Sequence, residues 1–315
     1  MPLTILDKVA VLSMKDGVTP AFATALGQSF ERFGFAMVRD HGLDPGLVGQ
    51  GWALAKAFFA LPEAVKGRYI VAGGAGQRGY TPFGREIAKD ATTTDLKEFW
   101  HVGRDLAEGH DCAARMPANL WPPEIVGFQP VFQQLFGEFD HVGSALLSAI
   151  ALHLSLRPDW FGGAVRDGNS ILRLLHYPPV APDAPGIRAG AHEDINLITL
   201  LLCAEEAGLE LLDRGSGRWL PVSPPEGALV VNVGDMLQRL TNHRLPSTTH
   251  RVCNPPPDRR GHSRYSMPFF LHLRPDFLIE TLPGCIDDAH PDRYPRPITA
   301  DDYLMERLRE IGLLK

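Results

Sequence analysis

Four cysteines are spread over the 315 residues, at positions 112, 203, 253 and 285, and no two of them form a Cys-x-x-Cys pair. That spacing argues against a zinc ribbon or a disulfide framework and suits a reducing compartment. Long apolar runs are also missing. No window approaches the ~18 uninterrupted apolar residues of a bilayer span, so no membrane partner is expected. The opening stretch "MPLTILDKVAVLSMKDG" carries Asp7 and Lys8 where a signal peptide would be continuously apolar, and a cytoplasmic location is expected. There is no excess of positive charge. The formal net charge of −6 is made of mixed signs, so nucleic acid is not an expected partner. At the glycine-rich stretch 72–84 no strand runs directly into a helix, so a nucleotide-binding loop is not expected there. What remains is a chain with 44% hydrophobic and 22% charged residues, enough for a sizeable core.

The chain changes character halfway along. Thr19-Pro20 predicts the start of a helix and Gly34 its stop, with Phe22, Leu26, Phe30 and Phe33 as the apolar stripe. The strand "FAMVRD" follows, and Asp44-Pro45 opens a second helix. From 132 to 154 apolar residues hold a helical period, which predicts a long helix. Beyond it come short apolar or β-branched runs, among them "ILRLLHY", "INLITLLL", "ALVVNV", "STTHRV" and "RYSMPFFLHL", separated by proline and glycine turns. Strands at such spacing predict a sandwich or barrel, with "GLELLDRGSGRWLPV" as a hairpin. "TADDYLMERLREIGLL" predicts a closing helix.

The triplet His192-Glu193-Asp194 precedes one of these apolar runs. In an extended strand its outer members share a face, and an imidazole beside a carboxylate suits a metal. The chain has twelve histidines, so such a triplet also arises by chance. His290-Pro291-Asp292 is one of that kind, in a proline-rich loop with no strand after it. A third ligand is expected from another strand of the same half. Of His243, His250, His262 and His272, His250 lies in a β-branched strand and is the best candidate. Two imidazoles and one carboxylate leave positions open, as in non-heme Fe(II) oxygenases, whereas structural zinc fills all four. On the last long strand Arg264 and Ser266 share a face and can grip a carboxylate together, unless that strand lies at an edge in solvent.

His192-x-Asp194, His250 and Arg264-x-Ser266, in this order, resemble the isopenicillin N synthase-like branch of the 2-oxoglutarate/Fe(II)-dependent dioxygenases. "LRLLHYPP", "GLELLDRGSGRWLPVSPPEGALVVNVGDMLQRLTN" and "FGFAMVRDHGL" agree in register, and the resemblance covers nearly the whole chain. It implies a mainly β protein with flanking helices around a double-stranded β-helix, or jelly-roll, core. The implied organisation is an N-terminal region at 4–118, a linking long helix at 119–160, the core at 165–276 and a tail with the closing helix at 277–315. His192, Asp194 and His250 would hold Fe(II). Arg264 and Ser266 would bind the distal carboxylate of 2-oxoglutarate, assisted by Tyr177. Plant members commonly carry asparagine two residues before that tyrosine, where this chain has Leu175. O2 would complete the set, with oxidation, chiefly hydroxylation, of a small-molecule substrate as the reaction.

Two other readings compete. Some members of the branch use no 2-oxoglutarate and give the arginine to a substrate or to ascorbate, and a non-catalytic barrel could bind a small acid. For the substrate, Arg173 shares a face with Leu175 and Tyr177, so it meets either a second carboxylate or a structural ion-pair partner. Phe99, Trp100 and Phe270 are expected in the core. The glycine-rich stretch is expected to be a flap that carries Arg78 and Tyr80 toward substrate, since related proteins place an arginine and a Gly-Tyr pair there.

Overall fold

Two helices begin in the same way, with a polar side chain capping a proline start. In the computed structural model, which describes residues 8–86, 93–181, 186–202 and 207–310, helix α1 (Pro20–Phe33) is capped by Thr19, whose hydroxyl accepts from the Phe22 amide at 3.1 Å. Helix α2 (Pro45–Phe59) is capped by Asp44, which accepts from the Gly46 amide at 2.8 Å. Such caps satisfy amides that have no partner inside the helix. Proline at the first position gives up no hydrogen bond. Around these helices lie strands β1 (Val11–Ser13) and β2 (Phe35–Arg39), the short helix α3 (Glu63–Lys66), and strands β3 (Gly79–Thr81) and β4 (Glu98–Gly103).

Helix α4 (Phe128–His153) is the predicted long helix, and the four-residue α5 (Gly162–Val165) follows it. By length and composition α4 could cross a membrane. Its apolar side chains are instead buried in this fold, where Phe136 and Phe139 meet Phe269 at ring-centroid distances of 5.1 and 5.5 Å. Gly143 sets the spacing between helix and sheet, because a Cβ there would lie 2.3 Å from Leu271 Cδ1.

The second half holds β5 (Ile171–Tyr177), β6 (Ala189–His192), β7 (Ile198–Leu202), β8 (Leu209–Asp213), β9 (Arg218–Pro221), β10 (Leu229–Val233), α6 (Asp235–Leu240), β11 (His250–Val252) and β12 (Arg264–Leu271). The pair β13 (Leu278–Ile279) and β14 (Ile298–Thr299) then leads into α7 (Ala300–Glu310). Strands β5, β7, β10 and β12 belong to an eight-stranded sheet, while β6, β11, β8 and β9 form a four-stranded one. The pairs are β5 with β12, β6 with β11, β7 with β10 and β8 with β9, all antiparallel. This nested pairing about the β8–β9 hairpin, with the chain alternating between sheets, is the jelly roll. The N-terminal strands extend the larger sheet, since β2 pairs with β10 and β4 with β5.

Strand alternation divides the core in two. Phe33, Phe35, Phe99, Leu175, Tyr177, Leu211 and Val252 pack between the sheets. Trp100, Leu172, Leu174, Met267, Phe269 and Leu271 face the helices on the other side of the larger sheet. Burying a side chain of this size contributes about 1.5–3 kcal/mol. Between the sheets, the strands open at one end into a cavity.

Candidate active site

The chain reaches this cavity through a sheet crossing. His192 is the last residue of β6, in the smaller sheet, and β7 begins at Ile198 in the larger one. The strand expected from the run "INLITLLL" therefore starts only at Ile198, and the triplet before it spans the end of β6 and the crossing rather than one extended strand. Glu193 to Leu197 make the passage from one sheet to the other. The start of α6 holds this turn, with the Asp235 amide donating to the Asp194 carbonyl at 2.7 Å and the Met236 amide to that of Ile195 at 3.2 Å. Gly234 must be small here, because a Cβ would stand 2.2 Å from the Asn196 carbonyl oxygen.

His250 comes to the same place by strand pairing, directly opposite His192 in the β6–β11 register. Gly34 braces its approach. This residue ends α1 with φ of 69°, and a Cβ on it would lie 2.3 Å from the Thr248 hydroxyl. Phe35 then sets its ring edge-on to His250, with centroids 5.6 Å apart.

His192, Asp194 and His250 place ligand atoms within 4.8 Å of one another. Asp194 Oδ1 stands 3.9 Å from His192 Nε2 and 3.8 Å from His250 Nε2. Each imidazole has its Nδ1 on a backbone carbonyl two residues back, Gly190 at 2.7 Å and Thr248 at 3.1 Å. The proton thus sits on Nδ1, and both Nε2 lone pairs point at the shared space. The other carboxylate oxygen, Asp194 Oδ2, accepts from Thr199 Oγ1 at 2.6 Å and Asn232 Nδ2 at 2.8 Å. Burial works to raise the Asp194 carboxyl, but the two imidazoles and these hydrogen bonds outweigh it and hold it below the usual carboxylate range. Burial, together with the neighbouring His250, pushes His192 down to about 4. Two imidazoles and one carboxylate, with their outer atoms tied down, fit a divalent metal with positions left open.

Arg264, Ser266 and Tyr177 lie together between the sheets, each 2% exposed. Arg264 pairs in register with Tyr177, and its guanidinium carbon is 5.1 Å from the ring centroid. They line a narrow space of about 60 Å³ whose walls also include His192, Asp194 and His250. A bidentate cation with a hydroxyl at one end and a metal set at the other suits a short dicarboxylate. Leu175, where plant relatives carry asparagine, lines this space as well.

A larger cavity of about 440 Å³ opens on the other side of the metal set. The two spaces share Lys97, Arg173, His192, Asp194 and Phe270 as walls. Of the two roles offered for Arg173, the structure shows the ion-pair one. Arg173 faces both cavities, and it bonds His101 Nε2 at 2.5 Å and stands 3.5 Å from Glu86. Phe99 and Trp100 are core residues as expected, but Phe270 is a wall of both cavities.

On Arg78 and Tyr80 the structure departs from expectation. Neither lines either cavity. Tyr80 packs its ring 5.8 Å from Phe58 among the helix-side core and donates to Glu98. Arg78 is 2% exposed, with its guanidinium against Gly103 and bonded to the Gln77 carbonyl at 2.7 Å. The glycine-rich stretch does reach the cavity, through Ala75 and Gln77. Arg78 and Tyr80 are two apart and both turn away from the cavity that Gln77 lines. Lys97, Gln77 and His272 are wall residues that the sequence did not single out as such, although His272 follows Arg264, Ser266 and Phe270 in the period of two along β12. His290 is exposed, with its ring bonded to Asp287 at 2.9 Å.

The sequence profile of the 2OG-Fe(II) oxygenase superfamily matches residues 168–273, and that of the N-terminal region of a non-haem dioxygenase in morphine synthesis matches residues 6–124. A 2-oxoglutarate-Fe(II) type oxidoreductase of Aspergillus fumigatus is 32% identical over 285 residues, covering 88% of this chain and 83% of the relative. The crystal structure of a 2OG-Fe(II) oxygenase family protein from Caulobacter crescentus superposes with a TM-score of 0.90 at 54% identity, over 98% of this chain and all of that one. A full-length protein of Neurospora crassa, solved in complex with alpha-KG and thymine, gives a TM-score of 0.85 at 28% identity, over 96% of each chain. With relatives matched along nearly their whole length, this chain belongs to the 2-oxoglutarate/Fe(II) oxygenase superfamily.

Proposed function

We infer that the protein couples oxidative decarboxylation of 2-oxoglutarate to oxidation of a small molecule, with His192, Asp194 and His250 holding Fe(II) and Arg264, Ser266 and Tyr177 holding the oxoacid. The observation that carries this reading is one continuous inner wall. It runs from the Arg264–Ser266 pair past two imidazoles and a carboxylate that converge within 4.8 Å, and on into a cavity of about 440 Å³. Fe(II) held by His192, Asp194 and His250 would, with O2, supply the oxidising power for converting 2-oxoglutarate to succinate and CO2 and for oxidising a C–H bond of the substrate. The protein's own part is to orient and to exclude water. Arg264 and Ser266 fix one end of the oxoacid, so that its keto and C1 carboxylate oxygens face the metal set. Thr199 and Asn232 keep one oxygen of Asp194 occupied, which leaves the other for the metal. Arg173 and Phe270, at the junction of the two spaces, separate oxoacid from substrate.

Oxygen consumption and succinate formation, measured with Fe(II) in the presence and absence of 2-oxoglutarate, test the reading. Consumption is expected only when both are present. Oxygen uptake that needs no 2-oxoglutarate would give Arg264 and Ser266 to another ligand.

A further inference from the structure

The inner face of β12 carries one group that neither the metal nor the oxoacid uses. Side chains at alternate positions of a strand point the same way, and Arg264, Ser266 and Phe270 all face the space between the sheets. His272 continues this row one residue beyond the strand and lines the larger cavity together with Phe270. It is 6% exposed and its amide is held by the Ser170 hydroxyl at 3.2 Å, yet among the described residues its ring nitrogens bond to no protein group. Neither nitrogen is sealed from the cavity, unlike the side-chain oxygen of Gln77. Buried polar groups are normally satisfied, so the missing partner is one that enters with a bound molecule. Burial pushes the imidazole down to about 4, so the ring is neutral and offers one donor and one acceptor.

The rest of the wall is apolar or already paired. Ile171, Ile195, Phe270, Leu304 and Leu308 supply apolar surface, the two leucines from one face of α7. Lys97 Nζ lies 2.6 Å from Glu86 and 2.7 Å from Asp95. Arg307 lies 3.3 Å from Asp235 and 2.6 Å from Glu310, and Arg173 lies 3.5 Å from Glu86. An anionic substrate would have to break one of these pairs inside a buried wall. Glu193, the remaining carboxylate of the wall outside the metal set, has one oxygen on the Thr249 hydroxyl at 2.9 Å.

We propose that His272 is a specificity-determining residue, and that the substrate is a small, uncharged, mainly apolar alcohol. A hydroxyl can donate or accept, so it satisfies whichever ring nitrogen it meets, in either tautomer. The carbon skeleton lies against Ile171, Phe270 and the two leucines of α7, with the carbon to be oxidised toward His192 and Asp194. This assignment rests on the dioxygenase reading above and names its substrate class.

Calorimetric titration of the enzyme loaded with Fe(II) and 2-oxoglutarate, with oxygen excluded, tests it with four probes on one skeleton: 1-indanol, indane, 1-aminoindane and indane-1-carboxylate. The alcohol is expected to bind tightest, with the bare hydrocarbon about tenfold weaker and both charged probes weaker than the alcohol. His272→Leu should bring 1-indanol and indane to equal affinity. His272→Gln, which keeps a donor and an acceptor, should leave the alcohol the tighter of the two. Equal affinities in the wild type, a preference for the alcohol that survives His272→Leu, or its loss in His272→Gln would each overturn the assignment. So would tighter binding of the carboxylate, tighter binding of the amine through Glu193, or no binding by any probe. Titration of 2-oxoglutarate into the same samples keeps the two readings apart. Normal 2-oxoglutarate binding alongside any of those results overturns the substrate class alone, whereas failure of 2-oxoglutarate to bind overturns the function on which it rests.

Discussion

His192 and His250 face each other across antiparallel strands, and each fixes its own tautomer by donating Nδ1–H to the carbonyl two residues before it. The two Nε2 atoms and Asp194 Oδ1 are thereby preset, and removing any one of the three side chains leaves too few ligands. His192→Ala, Asp194→Ala and His250→Ala are each expected to abolish turnover and to lower Fe(II) content, measured by metal analysis after gel filtration, while circular dichroism stays unchanged. Asp194→Ala should lose the most metal, since it removes the only ligand charge. His290→Ala, in the exposed loop, should be silent. Wild-type turnover in any of the three would remove that residue from the site.

Thr199 and Asn232 act on the metal only through Asp194 Oδ2. Thr199→Val and Asn232→Leu are expected to weaken metal binding about 10–100-fold, the usual effect of losing such an outer partner. A Co(II) titration followed by absorbance reads the change directly, and the affinity for 2-oxoglutarate in metal-saturated enzyme should stay near wild type. If Co(II) binds both variants as tightly as wild type, the two hydrogen bonds do not orient the carboxylate.

The metal residues were legible because three local signals met: a His-x-Asp triplet, an apolar run after it, and a histidine in a β-branched strand. The helix starts were legible for a similar reason, since Thr19-Pro20 and Asp44-Pro45 each write a cap and a first turn into two adjacent residues. The break between β6 and β7 was not, because nothing in "AHEDINLITLLL" says that the chain changes sheets at Glu193. Phe270 and His272 follow from the period of two along β12, once Arg264 is known to face inward. Gln77 and Lys97 have no such signal. Which way they face depends on how β3 and β4 pair with β5, and a local pattern does not contain that register. An arginine and a tyrosine in a glycine-rich loop look functional, yet the fold uses both to pack the N-terminal region.

Arg264 is 2% exposed between the sheets, so a 2-oxoglutarate carboxylate held there is desolvated with it. Arg264→Ala should raise the apparent KM for 2-oxoglutarate sharply and leave metal content nearly intact. Loss of one partner of such a pair costs about 2–5 kcal/mol, roughly thirty- to several-thousand-fold. Arg264→Lys should also be impaired, because an ammonium cannot reproduce the two-pronged fork. Unchanged 2-oxoglutarate dependence in the alanine variant would assign the guanidinium to a different ligand.

Asp213 ties the β8–β9 turn to α1, and β8 is the strand that carries Leu211 opposite His250. Its carboxylate accepts from Arg32 at 2.5 Å and from the Ser216 hydroxyl at 2.6 Å. The Arg32 hydrogen bond, then that of Ser216, outweighs burial and holds the carboxyl well below its ordinary value of 3.8. A carboxyl whose folded pKa is depressed stabilises the fold fully above the unfolded value, and that stabilisation is lost as pH falls through the folded one. Asp213→Asn should therefore cost about 1–2 kcal/mol near neutral pH, at the lower end for a hydrogen bond to a charged group because Arg32 is partly in water. The cost should hold steady down to about pH 5 and shrink below about pH 4. Urea midpoints for wild type and variant at pH 7 and pH 3 measure it. A gap as wide at pH 3 as at pH 7 would mean that the asparagine disrupts packing rather than removing a charge.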